Sequence, residues 1–197
     1  MLVRHGATAH SPEKRFSGRN ELPLSPDGES QAAALAGRSS SFGAVDAIVS
    51  SPLLRTRQTA ETIAEALGLP VSTYDDLAEL DFGTWEGLTF GEARRRDGDA
   101  LAAWLGSPDV APPGGESFTT LAIRVCRCRD AILAAHQGQS VVVVAHVSPI
   151  KTLLRVALDA PPSSMYRIYL DTASVSVIDY YQDGNCSVRL VNDTSHL

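Results

Sequence analysis

The sequence predicts a layered α/β fold whose central sheet is largely parallel. Apolar strand-like runs alternate with segments of helical periodicity along most of the chain, the pattern left by strands joined through crossover helices. The run "SVVVVA" at 140–145 has no polar interruption and is rich in β-branched residues, as a strand covered on both faces requires. Size agrees: 197 residues, 44% of them hydrophobic and 20% charged, suit one domain with a substantial core.

Three strand-helix units organise the chain. The first is a short strand, Met1 to Val3, followed by a long polar loop and a helix from about Gly28 to Arg38 carrying Ala and Leu repeats. The second is the strand "AVDAIVS" (Ala44 to Ser50) and the helix in "SPLLRTRQTAETIAEALG", with Ser51 expected as N-cap, Pro52 in the first position and Gly68 as the stop. A short strand follows near Val71 to Thr73, then short helices over about Thr89 to Leu105. The punctuation "PPGGES" precedes a long helix from Ser117 to about His136. In that helix Phe118, Leu121, Ala122, Val125, Cys128 and Ile132 repeat at helical spacing, so Cys128 is expected to fill the core. The third unit pairs the strand at 140–145 with a helix in "HVSPIKTLLRVAL". From Met165 the tail alternates like two or three strands, with a turn at "DGN".

Composition excludes several classes. Seventeen basic against twenty-three acidic residues leave a net charge of -6, so there is no broad electrostatic footprint for nucleic acid, and any anion site must be local. No apolar run approaches the ~20 residues that span a bilayer, and the first residues do not read as a signal peptide. A cytoplasmic location, without membrane partners, is the expectation. Cys126 and Cys128 would point away from each other on a helix, so no disulfide is expected between them.

The chemistry is expected at the carboxyl ends of the parallel strands, where loops form the ligand crevice of such sheets. Arg4 and His5 follow the first strand, Arg55 lies just inside the second helix, and His146 directly follows the third strand. Two imidazoles and two guanidiniums drawn to one sheet edge favour an anion pocket, and phosphate fits best. Arginine offers paired planar donors to phosphate oxygens, a neutral imidazole can attack phosphorus, and a second can donate a hydrogen bond. Gly6 is expected to let the backbone turn sharply there and a ligand approach it. A metal centre is not favoured, because no i, i+4 histidine pair or completing carboxylate is present.

The segments "LVRHGATA", "RFSGRNELPLSPDGESQA", "SSPLLRTRQTA", "ELDFGTWEGLT", "PPGGES" and "VVVVAHVSPIK" stand in an order and spacing that resembles the histidine phosphatase (phosphoglycerate mutase-like) superfamily over nearly the whole chain. Within it the chain is most similar to the α-ribazole phosphatase branch and to the carboxy-terminal acid phosphatase domain of actinobacterial bifunctional ribonuclease H proteins. The resemblance implies a three-layer α/β/α sandwich. It also implies a metal-independent, cofactor-free phosphomonoesterase acting on α-ribazole 5'-phosphate or a range of small phosphate monoesters. His5 would become phosphohistidine and Glu79, the first residue of "ELDFG", would be the proton donor. Arg4, Arg55 and His146 would hold the phosphate, with Ser17 of "RFSG" beside it. Mutase-type phosphoryl transfer and an inactive phosphate-binding module are the alternatives. The resemblance admits a homodimer and a fused N-terminal ribonuclease H-like domain. Residues 1–197 would then be one domain of a longer chain, since a central strand usually holds ~5 residues and this one has few before Arg4.

The chain departs from the family pattern at Ala7, where Gln or Glu is usual, at Ser11 in place of asparagine, at Val147 in place of glycine and at Lys151 in place of arginine. Ser11 is too short to be placed in the site, Val147 raises a question about the local backbone, and Lys151 has no assigned role. Asp81 and Glu86 compete with Glu79 on proximity, and motif position favours Glu79. Arg94, Arg95 and Arg96 read as a solvated face; His10, His136 and His196 are expected to be solvated.

Overall fold

The computed structural model describes residues 1–38 and 43–197. One sheet runs in the order β3-β2-β4-β1-β5-β6, formed by β1 (Leu2–Arg4), β2 (Ala47–Ser50), β3 (Val71–Thr73), β4 (Val141–Ala145), β5 (Val175–Tyr180) and β6 (Cys186–Asp193). The first four strands in that order are parallel; β5 joins β1 antiparallel and β6 closes the edge as its hairpin partner.

Alternation across the pleat explains the unbroken apolar run of β4. Val142 and Val144 face one side, where Val3 and Ile48 meet Leu35 of helix α1 (Pro26–Arg38) and Ala60, Ile63 and Ala64 of α2 (Leu54–Leu67). Val143 and Ala145 face the other side. There, with Leu2 and Val49, they pack on Leu121, Val125, Cys128 and Ile132 of a long helix (Phe118–Ala135) and on Ile150, Leu153 and Leu154 of the helix after β4 (Val147–Ala157). Two helical layers thus cover the sheet, as the three-layer expectation requires. Cys128 is 3% exposed, and burial pushes its thiol up to about 12. Two shorter helices, α3 (Phe90–Arg96) and α4 (Gly98–Gly106), lie between β3 and the long helix, which is α5; the helix after β4 is α6. No helix among the described residues is long and apolar enough to cross a membrane.

Local signals set most boundaries. Gly68 ends α2 in the left-handed region at φ 66°, Ser117 caps α5, and Thr89 and Glu92 form a reciprocal capping box on α3. Two expectations need correction. Helix α1 begins at Pro26, ahead of Gly28, because Ser25 Oγ accepts from the Gly28 N–H at 3.2 Å. Helix α2 begins at Leu54, and its N-cap is Leu53; the hydroxyl of Ser51 is used elsewhere. The tail holds two strands, β5 and β6, within the two or three expected, and Pro162–Tyr166 winds into a 3-10 turn ahead of them.

Candidate active site

Sheet register brings the two histidines together. Arg4 pairs with Ala145 across β1 and β4, so the next residue on each strand, His5 and His146, leaves the sheet at the same level. The His5 N–H still donates to the Ala145 carbonyl at 3.1 Å, and the rings stand 5.1 Å apart, edge to face. Ser50 pairs with Val144, which places Ser51 beside the same end of β4. Its hydroxyl lies 2.8 Å from His146 Nε2 and also accepts from the Leu53 N–H at 3.4 Å, so Ser51 stands two residues ahead of the N-cap and ties the start of the α2 segment to the end of β4.

The close approach at Gly6 has a different cause from the expected turn. A Cβ on Gly6 would sit 2.5 Å from the carbonyl oxygen of Gly28, so the first turn of α1 packs where a side chain would be. The Gly6 N–H donates to Thr59 Oγ1 at 3.1 Å, tying the strand end to α2 one turn beyond Arg55.

Two contacts fix the tautomer of His5. Nδ1 lies 2.7 Å from the Gly6 carbonyl, which can only accept, so Nδ1 carries the hydrogen. Nε2 is left with its lone pair and accepts from Arg55 Nε at 3.3 Å. Burial, then the Arg55 and Arg4 charges, hold the His5 pKa well below the usual 6.5, with the Gly6 bond a smaller opposing effect. Burial first and Arg55 next do the same to His146. Both rings are therefore neutral at physiological pH, the state in which an imidazole can be a nucleophile or, through Nδ1–H, a neutral donor. His146 Nδ1 and Arg4 Nε are buried with no hydrogen-bond partner among the described residues. Because the Ser51 hydroxyl already accepts from the Leu53 N–H, its hydrogen is free to go to His146 Nε2, which puts the ring hydrogen on Nδ1, and donors left unpaired in this way beside a nucleophilic nitrogen suit an incoming anion.

These imidazoles link pH to stability. Their pKa values are depressed in the fold, so below the usual 6.5 the unfolded chain binds more protons than the folded one. Their full contribution is present above that pH and is lost as pH falls toward the folded values. Urea unfolding is expected to show stability lower by about 2–4 kcal/mol at pH 5 than at pH 7 from this pair. Replacing either histidine by glutamine should flatten that slope; an unchanged slope in both variants would show that the rings are not held neutral.

Glu79 is 5% exposed, in the segment between β3 and α3. Its Oε1 accepts from the Leu80 N–H at 2.7 Å and the Ser148 N–H at 3.1 Å, the latter in the first turn of α6. The carboxylate therefore sits two residues along the chain from His146. Asp81 turns instead to the Gly83 N–H at 2.8 Å, and Glu86 to the loop at 18–20. Arg4 reaches the Leu170 carbonyl at 2.6 Å, and Lys151 donates to the Met165 carbonyl at 3.0 Å.

Two site expectations take a different form in the structure. The Ser17 hydroxyl is engaged by His10 Nδ1 at 2.8 Å, so His10 is half-buried and not solvated, and it is the Ser17 carbonyl that meets Arg55. Arg55 is fully buried and donates to the carbonyls of Ser17, Gly18 and Asn20 as well as to His5. His136 and His196 are half-buried beside Gln139 and Arg38 respectively. Val147 is helical at a negative φ, so no glycine is needed there. Arg94, Arg95 and Arg96 are exposed as expected.

Sequence reasoning missed Arg124. From α5 it donates to the carbonyls of Asp76 and Ala78 at 2.7 Å and of Glu79 at 3.0 Å, and it pairs in bidentate fashion with Glu116 of "PPGGES" at 2.7 Å. This clamp fixes the backbone that carries Glu79. Only its position on the apolar side of α5 could have signalled it. Glu116→Ala leaves a buried guanidinium without its countercharge and is expected to cost about 3–5 kcal/mol in urea unfolding; a cost below ~1 kcal/mol would show that the carbonyls alone hold Arg124.

The profile of the histidine phosphatase superfamily (branch 1) matches residues 1–194. The chain belongs to the histidine phosphatase superfamily. A bifunctional protein of Mycobacterium tuberculosis is 50% identical over 197 residues, covering 100% of this chain and 54% of its own length, so the chain spans about half of that relative. Phosphoserine phosphatase 1 of Hydrogenobacter thermophilus is 35% identical over 198 residues, covering 100% of this chain and 93% of that protein. Among solved structures, the α-ribazole phosphatase from Shigella flexneri superposes with a TM-score of 0.86 at 28% identity, over 98% of this chain and 95% of that one. In this member of the superfamily the four residues named from sequence, Arg4 and His5 after β1, Arg55 in the first turn of α2 and His146 after β4, gather at one site.

Proposed function

We propose that this histidine phosphatase is a metal-independent phosphomonoesterase that works through a phosphohistidine at His5. The observation that carries the reading is the His5 tautomer: hydrogen on Nδ1, lone pair on Nε2, neutral through burial beside two arginines. Nε2 would attack phosphorus as the bond to the leaving oxygen breaks, and Glu79 would give that oxygen its proton. Water, deprotonated by Glu79, would then attack the phosphohistidine; the P–N bond breaks, and inorganic phosphate and neutral His5 are regenerated. Arg4 Nε and His146 Nδ1 would receive phosphoryl oxygens. Arg55 would do so by exchanging its 3.3 Å contact with His5, and the cations would neutralise the charge of the transferring group. Ser17, bound to His10, would line the pocket.

Similarity to an α-ribazole phosphatase and to a phosphoserine phosphatase supports a small phosphate monoester as substrate, with α-ribazole 5'-phosphate the first candidate. The test is phosphate release from a panel holding an aryl phosphate, α-ribazole 5'-phosphate, phosphoserine and 3-phosphoglycerate. Net release with a preference for one ester supports the phosphatase and names its substrate. Interconversion of phosphoglycerates without release would mark a mutase, and silence throughout would mark a phosphate-binding module.

A further inference from the structure

Arg55 is a fully buried cation, yet among the described residues no carboxylate lies within ion-pair distance of it. Its guanidinium instead grips the carbonyls of Ser17 at 3.1 Å, Gly18 at 2.8 Å and Asn20 at 2.8 Å. The opposite edge of the same loop is held by one side chain. Glu86 accepts from the Gly18 N–H at 2.9 Å, the Arg19 N–H at 3.1 Å and Asn20 Nδ2 at 3.0 Å. Two consecutive peptide units, 17–18 and 18–19, are therefore clamped end to end, each with its N–H on the carboxylate and its C=O on the guanidinium. Peptide dipoles aligned in this way carry the attraction of an anion to a cation that it does not touch, and each hydrogen bond polarises the next.

The packing leaves no slack. A Cβ on Gly18 would fall 2.1 Å from Glu86 Oε1 and 2.4 Å from the Leu80 carbonyl oxygen, so glycine is needed there for the carboxylate to reach the loop. At the far end of the relay Arg55 Nε meets His5 Nε2.

We propose that Glu86 is a positioning residue, a counter-ion of Arg55 relayed through the 17–20 loop, which holds Arg55 against Nε2 of His5. The inference rests on the reading of His5 as the nucleophile. Glu86→Ala is expected to lower kcat about 100-fold, the effect of misplacing a reacting group by ~1 Å, with KM changed less than ~3-fold because Arg4 and His146 still receive the phosphate. Glu86→Gln keeps one acceptor oxygen and is expected to restore part of that loss. Gly18→Ala, which crowds the carboxylate and the Leu80 carbonyl without removing Glu86, should reproduce the kcat defect. In an Arg55→Lys background, where the fork onto the carbonyls is gone, Glu86→Ala should change kcat by less than ~3-fold, since residues acting as one unit are not additive.

An equal loss from Glu86→Ala in both backgrounds, or a loss matched by a fall in the folded fraction, would overturn the relay and leave Glu86 a stabilising residue. If Glu86→Ala does not fold, Glu86→Gln and Gly18→Ala decide: wild-type kcat in both overturns the inference. A wild-type protein without phosphatase activity overturns both this inference and the reading of the site. An active wild type that His5→Ala silences, but whose Glu86 variants turn over normally, overturns the inference alone.

Discussion

Conversion of His5 to alanine is expected to lower kcat by on the order of 10⁴-fold or more, because no neighbouring group can take over the covalent step. The ring of His146 is 5.1 Å away with Nε2 on Ser51, and His10 has Nδ1 on Ser17. The fold should survive the change. The backbone of residue 5 keeps both bonds that anchor it, its N–H to Ala145 and its carbonyl from Ala173, so β1 stays paired with its neighbours. Circular dichroism and a thermal melt establish that point first. Rapid quenching of the wild type with radiolabelled phosphate ester is then expected to trap an acid-labile, alkali-stable phosphoprotein, and the same quench of His5→Ala should trap none. Label persisting in the variant would move the nucleophile to another residue.

The parts of the site that could be read from sequence are those a strand end carries by itself. An apolar run that stops on a histidine says where the imidazole leaves the sheet, and sheet order does the rest, which is why Arg4, His5 and His146 were found together. Hydrophobic periodicity located the helices for the same reason, since burial of one face depends on side chains in the segment itself. Ser51 shows the limit. A serine followed by proline has the form of an N-cap, but the helix starts three residues later, and the Ser51 hydroxyl lies 2.8 Å from a histidine 95 positions away, a contact that no local pattern announces. Arg124 was missed, and Glu86 was weighed only as a rival to Glu79, on similar grounds. Most of their partners are backbone N–H and C=O groups, which every residue possesses, and the side-chain partners, Glu116 and Asn20, are not neighbours in sequence, so little in the partner sequence marks the contact. Gly6 did leave a visible mark, and the structure supplies the reason: it stands where the Gly28 carbonyl fills the space of a side chain.

Glu79→Gln provides the second large effect, and its signature depends on the leaving group. Glutamine preserves size and an acceptor for the Leu80 or Ser148 N–H, so the segment held by Arg124 should stay in place. It cannot give a proton. For an alkyl phosphate, whose alkoxide cannot leave unprotonated, kcat/KM is expected to fall about 10²–10⁴-fold. For an aryl phosphate whose phenolate leaves unaided, kcat/KM should stay within ~10-fold of wild type, because that ratio reports the steps up to phosphohistidine formation. Turnover of the aryl ester should nonetheless slow, since water attack on the phosphohistidine needs the same carboxylate as a base. The variant is therefore expected to show a burst of phenolate followed by a slow steady state, with phosphoenzyme accumulating. Equal loss of kcat/KM for both esters would remove Glu79 from the proton-transfer role. Asp81→Asn separates this from mere nearness in sequence: its carboxylate is turned to the Gly83 N–H, so the leaving-group dependence of the enzyme should be unchanged.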